Sequence, residues 1–314
     1  MLMRDSSEPP PTSVKAPKFG AYIWGLAEQD EKLRAELAQV ERNAENFVKH
    51  YCVPSQLPAP ELRRSLGAET IHHLWTELAA LQMVYGRRLA STYCDSVDSL
   101  ARRRLHLASL ALRAYLELTG AHLYFEQRLT KRLVDGVSTQ EQMDEVNGLL
   151  RVGVLGGRFD WSPFFQGGAP MEQLIIEYAK AKDHEHEPSQ DIRQKSPAVF
   201  VSEVEKHFAK QWPTHKGKIR AIYAMLSDIC HPSVGGDLFF AEIPQQPGWI
   251  KYRAEPHDEL LRDFISRIAL PVLLDVSQIT VWTLKRIGQV AESLHEQHTT
   301  GEVLRIPPVK DDLP

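Results

Sequence analysis

Tyr223, Ser227 and His231 stand four residues apart in the stretch KIRAIYAMLSDICHPS, Lys218 to Ser233. On an α-helix each step of four turns a side chain by only about 40°, so the three polar groups share one face over roughly two turns. Pro232 cannot continue a helix and disfavours α geometry at His231, and Gly235 and Gly236 follow. The imidazole is therefore expected at the helix C-terminus, where the helix dipole favours a protonated ring and proton transfer near neutral pH.

A second pair with chemical potential lies upstream. Between His106 and Phe125 the only charged residues are Arg113 and Glu117, set in LASLALRAYLELTGAHLY. A helix apolar on nearly every side is a central one, and two charges inside it must be paired because an isolated buried ion costs several kcal/mol. At i, i+4 they reach each other, with Arg113 on the N-terminal, less favourable side for helix stability alone, which suggests that both also serve a group on another helix. If that helix is the one bearing Tyr223, Ser227 and His231, two functions are open. His231 would be acid or base, Tyr223 and Ser227 would orient it, and Arg113, held by Glu117, would stabilise charge developing on a phosphorane. Alternatively the five residues form a satisfied polar network that fixes helix register in a non-catalytic protein, and this is the favoured expectation.

The elements that must position these groups are mostly helical. Residues 1–20, rich in proline around Glu8 to Pro11, read as a disordered tail. The segment from Ala27 to about Tyr51 reads as an amphipathic helix, packed on its own domain or pairing with a protein partner or a second copy. A helix is expected from about Glu69 to Tyr93, a central one from about Ser96 past Leu123, and one starting at Ser138 or Thr139, followed by Glu141 and Gln142, and ending near Gly153. Further helices are expected from about Met171 to Lys182, from Ser196–Pro197 to Trp212, and from His257 to about His298 with a kink at Pro271.

Strand-like runs 237–243 and 249–253 predict one short β-hairpin, over 237–254, roofing the helix end at His231. The fold class is thus mainly α, a multi-helix bundle with that hairpin. A single helical domain is expected over 21–299, with an N-terminal amphipathic helix in 21–55 and the bundle in 60–299, and a polar tail over 300–314. The aromatic loop 158–170 is a cover for the bundle or a lid.

Composition narrows the partners. Net charge is −4, so the whole molecule forces neither a nucleic-acid nor a membrane partner. Residues 100–132 are locally positive, with seven Lys or Arg against Glu117 and Glu126, which leaves RNA possible but not favoured. Cys52, Cys94 and Cys230 are far apart, odd in number and without CxxC spacing, and no signal-peptide pattern opens the chain, so free thiols in the cytoplasm are expected. The apolar run Ile268–Leu284 spans 17 residues and contains Asp275, against the roughly 20 clean apolar residues that a bilayer requires, so it reads as a buried helix and no membrane partner is expected. The adjacent His72 and His73 face different directions on a helix, and His184 to Glu187 lack a zinc signature, so no metal or other cofactor is expected.

Tyr223-x-x-Leu226-Ser227-x-x-x-His231-Pro232-Ser233, with Arg113-x-x-x-Glu117 upstream and a hairpin downstream, resembles a group of uncharacterised bacterial helical proteins that look distantly similar to HEPN-type bundles. The resemblance covers about residues 70–298. It implies an all-helical fold and, for many members, metal-independent ribonuclease activity or nucleotide-handling partnership in toxin and defence systems. Active members carry an arginine four to six residues before the helix-end histidine. Here that window holds Ala224, Met225 and Leu226, and the nearest upstream arginine is Arg220.

Overall fold

A computed structural model describes residues 14–52, 68–155, 196–231, 240–242, 251–252, 255–296 and 305–306. The described chain is mainly helical: α1 (Ala21–Leu26), α2 (Glu31–Tyr51), α3 (Ala68–Ala101), α4 (Leu105–Asp135), α5 (Gln140–Leu155), α6 (Pro197–Gln211), α7 (Lys218–Cys230), α8 (Asp258–Phe264) and α9 (Ser277–Glu296). π-helical turns at Ile265–Ala269 and Pro271–Val276 join α8 to α9. Pro271 has no N–H for a regular ladder, and the widened turns around it absorb that loss.

α4 is the centre, as its composition requires. It packs on α3, α5, α6, α7 and α9, and fifteen of its residues are buried, among them Leu112, Tyr115, Leu116, Leu123, Phe125 and Leu129. Gly120 lets α6 approach: a Cβ at that position would run into the backbone carbonyl of Phe200. α2 presents Leu33, Leu37, Val40, Ala44 and Phe47 at steps of four and three, all buried against the bundle. The apolar face that might have met a partner helix is thereby used within the chain. Asp30 caps this helix by accepting from the Leu33 N–H at 3.0 Å. At the start of α5 the Thr139 hydroxyl accepts from the Gln142 N–H and the Gln142 side chain accepts in return from the Thr139 N–H, the reciprocal cap that the residue types predict.

Several expectations are corrected. The second helix runs past Tyr93 to Ala101, and the break falls at Arg102–Arg104 instead. Apolar spacing continues across it, so periodicity carried no boundary signal. Arg103 adopts φ of 59°, a left-handed conformation that costs a side-chain-bearing residue about 1–2 kcal/mol. Its guanidinium meets Glu255 at 2.7 Å and lies 4.1 Å over the Tyr22 ring, which ties the turn to α1 and to the segment leading into α8.

Neither end is simply a tail. Phe19 is buried and its N–H donates to Glu41, while Ile306 is 2% exposed and its N–H donates to the Leu133 carbonyl at 3.1 Å. Of the expected hairpin, only a two-residue ladder is described, Ala241 opposite Tyr252 and Glu242 opposite Lys251; its turn and the rest of both runs lie outside the described residues. The 158–170 loop, the helix expected at 171–182 and His184 to Glu187 also lie outside them. The continuous stretch Asp258–Leu294 is long and apolar enough to cross a membrane, yet 67% of its most apolar window is buried inside the protein, as in a core helix.

The core holds polar groups that the sequence did not reveal. Glu126 is fully buried, accepts from Arg286 at 2.7 Å and from Thr130 at 2.8 Å, and Arg286 also lies over the Trp282 ring. One turn earlier on α4, His122 is fully buried and stacks on Tyr85 at 4.6 Å, and neither of its ring nitrogens has a hydrogen-bond partner. Burial pushes its pKa down from 6.5 to about 3.

Two outcomes follow. Ala usually stabilises a helix interior by about 1 kcal/mol relative to Gly, but the fixed Phe200 carbonyl should reverse the sign, so Gly120→Ala is expected to lose roughly 1–3 kcal/mol in urea unfolding. An unfolded chain takes up a proton at His122 below 6.5 while the folded chain does not until about 3. Stability should therefore fall as pH drops through that window, and His122→Phe, which keeps the stack, should flatten the fall in a pH series of melting curves.

Candidate functional site

The two predicted constellations meet at the seam between α4 and α7. Arg113 donates from Nε to Glu117 Oε1 at 2.9 Å, and the Tyr223 hydroxyl donates to the same oxygen at 2.7 Å. Arg113 Nη1 lies 3.1 Å from His231 Nε2, and its guanidinium is 5.3 Å from the centre of the Tyr223 ring. Four side chains from two helices, more than a hundred residues apart in sequence, thus form one chain of polar contacts.

Each position has a local cause. His231 is the C-cap of α7, with φ −101° and ψ 151°, the extended geometry that a following proline favours. Its N–H still donates to the Ser227 carbonyl at 3.0 Å, which anchors the ring to the helix end. Tyr223 lies two turns earlier on the same face and meets Glu117, one turn beyond Arg113 on α4. Ser227 shares the face but not the network: its hydroxyl donates to the Tyr223 carbonyl at 2.8 Å, one turn back in its own helix. Small hydroxyl side chains readily take that bond, and spacing alone could not distinguish it from a cross-helix contact.

The exposures correct one expectation. The network is not sealed in the core: the Arg113 and Glu117 side chains keep 24% and 28% of their exposure and His231 is exposed. A guanidinium can only donate, so a hydrogen bond across the 3.1 Å between Arg113 and the ring takes Nε2 as the acceptor and the tautomer with its proton on Nδ1. Burial alone would lower the Arg113 pKa, but its bond to Glu117 and the nearby Tyr223 outweigh that and raise it, so the cation persists. Burial and then the bond to Glu117 raise the Tyr223 pKa, which keeps the phenol a neutral donor. Burial likewise raises the Cys230 thiol, with Arg113 partly opposing, so Cys230 is not an activated thiolate.

Three of the seven cations of residues 100–132 pair with carboxylates from outside that stretch. Arg102 pairs with Asp98 at 2.8 Å, Arg103 with Glu255, and Arg132 with Glu145. Arg128 lies 4.3 Å over the Tyr124 ring. Among the described residues no group of three His, Cys, Asp or Glu is placed to hold a metal ion.

One neighbour was missed. His106 lies on the same stripe of α4 as Arg113 and Glu117, seven and eleven residues before them, and its Nδ1 is 3.0 Å from the Ile229 carbonyl at the end of α7. The i, i+7, i+11 spacing was the available signal. The comparisons add no relative: no family model, curated protein or solved structure matches the chain.

The two ion pairs should differ in energetic weight. Losing Arg286 leaves Glu126 buried without that cation and is expected to cost on the order of 3–5 kcal/mol. The quarter-exposed Arg113–Glu117 pair is solvent-screened, so Arg113→Met should cost no more than about 1 kcal/mol. Parallel urea unfolding of Arg286→Met and Arg113→Met checks that order.

Proposed function

We propose that this protein is a non-catalytic binding module that takes an anionic, phosphate-bearing ligand at the α4–α7 seam. The supporting observation is the Arg113–His231 contact at a solvent-facing helix end. Glu117 engages Arg113 through Nε, which orients the guanidinium and turns an Nη edge toward the imidazole. Attraction for an anion there is local and directional, because Glu117 cancels the charge of Arg113 at longer range. Tyr223 holds Glu117 from the other helix, so the clamp is assembled only when α4 and α7 are packed.

A second reading is metal-independent RNA cleavage, as the HEPN-like resemblance implies. The specific observation in its favour is that α4 supplies the arginine missing from the α7 window, within 3.1 Å of the helix-end imidazole. In that reading His231 moves the proton and Arg113 stabilises phosphorane charge. A hairpin over 237–254 roofing the end of α7 suits either reading, and the Phe240 ring stacked on His106 at 4.8 Å is consistent with it.

Inorganic phosphate titrated at low salt, followed by the ring signals of His231, is expected to give a saturable shift in the wild type and none in Arg113→Met. A linear, unsaturable response would overturn the binding reading. Bulk RNA incubated with chelator is expected to stay intact; cleavage that disappears in His231→Ala would replace the first reading with the second.

A further inference from the structure

Beside the clamp, Leu107, Leu110 and Ala114 follow steps of three and four along α4 and share one face of it. Leu110 keeps 49% of its exposure and Leu107 47%, among the most exposed large apolar side chains of the described residues. The same turns bury Leu105, Ala108 and Leu112 completely or nearly so, which makes the two leucines the outward face of a well-packed helix and not a frayed end. Arg113 stands three residues beyond Leu110, a step that turns its side chain by about 60°. That turn brings it to His231 on α7, so an aliphatic surface runs directly up to the Arg113–His231 contact.

This border selects among phosphate-bearing ligands. Glu117 cancels the charge of Arg113 at longer range, so the clamp suits one phosphate group and not the extended field of a polyanion or an anionic membrane surface. The side chains next to it are aliphatic, whereas a nucleobase is held by stacking on rings. The ring of His106, one turn before Leu110, is already stacked on Phe240 at 4.8 Å. An extended peptide meets both parts: its residues i and i+2 project from one side about 6.6 Å apart. From Arg113 the two leucines lie about 4.5 and 9 Å along the helix axis, which brackets that spacing.

We propose that the ligand of this seam is a phosphorylated peptide segment of a partner protein, with the phosphate of a phosphoserine or phosphothreonine at Arg113 and His231 and an aliphatic side chain two residues away covering Leu107 and Leu110. This rests on the binding reading above and adds to it the class of ligand and a second contact surface. Arg113 supplies charge-assisted hydrogen bonds to the phosphate oxygens, and the leucines lose water-exposed apolar surface to the aliphatic side chain. Neither contact would suffice for selectivity: a bare phosphate would leave the leucines uncovered, and an unphosphorylated peptide would leave the clamp unfilled.

The test is calorimetric titration of the full chain with a short glycine peptide carrying a phosphoserine and a leucine two residues apart, made in both orders. The same phosphopeptide without the leucine, inorganic phosphate and adenosine monophosphate serve as comparisons. One of the two orders is expected to bind the wild type about tenfold more tightly than inorganic phosphate or the leucine-free phosphopeptide. In the double variant Leu107→Ser, Leu110→Ser that advantage should vanish while phosphate affinity stays unchanged, which shows that the clamp is still folded. No gain from the leucine in either order, a gain that survives both substitutions, or tighter binding of adenosine monophosphate or of phosphatidic acid vesicles than of the peptide would overturn this inference and leave the binding reading standing. Failure of the wild type to bind phosphate at all would remove both.

Discussion

The burial of α4 on nearly all sides is the constraint from which the rest follows. A helix surrounded by α3, α5, α6, α7 and α9 cannot leave a polar side chain without an answer from one of those neighbours. Tyr115 and Thr119 reach Thr280 at 2.9 Å, Glu126 reaches Arg286, and Arg113 and Glu117 reach His231 and Tyr223. Each contact joins the central helix to a segment more than a hundred residues away, so the polar groups of α4 specify which helices lie against it and in what register. His122 and Ser109 are exceptions: His122 has an aromatic stack, but neither its ring nitrogens nor the buried Ser109 hydroxyl has a hydrogen-bond partner.

The same constraint separates two kinds of polar contact along one helix. Deep in the bundle, Glu126 and Arg286 are almost wholly removed from water, and their pairing is a condition of folding. Nearer the surface, Arg113, Glu117, Tyr223 and His231 retain contact with solvent, so they can exchange partners without exposing a buried charge. That difference in exposure supports placing the proposed ligand at the seam and not at the deep pair. It also sets the scale of the effects on stability: several kcal/mol in the first case and little in the second.

Much of this was legible in the sequence. The scarcity of charge between His106 and Phe125 marked the central helix, and the spacing of Tyr223 and His231 with Pro232 behind them fixed one face and one helix end. What was not legible depended on distance in the chain or on local competition. Glu126 and Arg286 are 160 residues apart, and nothing in either neighbourhood names the other. Ser227 satisfies itself within its helix, the helix break at Arg102–Arg104 interrupts no apolar pattern, and Ile306 docks by a buried side chain and a backbone bond to Leu133 that composition could not announce. The degree of exposure at the seam depends on which helices stop short of it, and that is a property of the packed bundle.

The central claim is that Arg113 reaches across the seam and donates to Nε2 of His231. Nitrogen-15 NMR of the histidine rings in the full chain tests it most directly. The neutral ring of His231 should carry its proton on Nδ1 and show a hydrogen-bonded Nε2, and that signature should change in Arg113→Met. A ring carrying its proton on Nε2, or one indifferent to the loss of Arg113, would contradict the account.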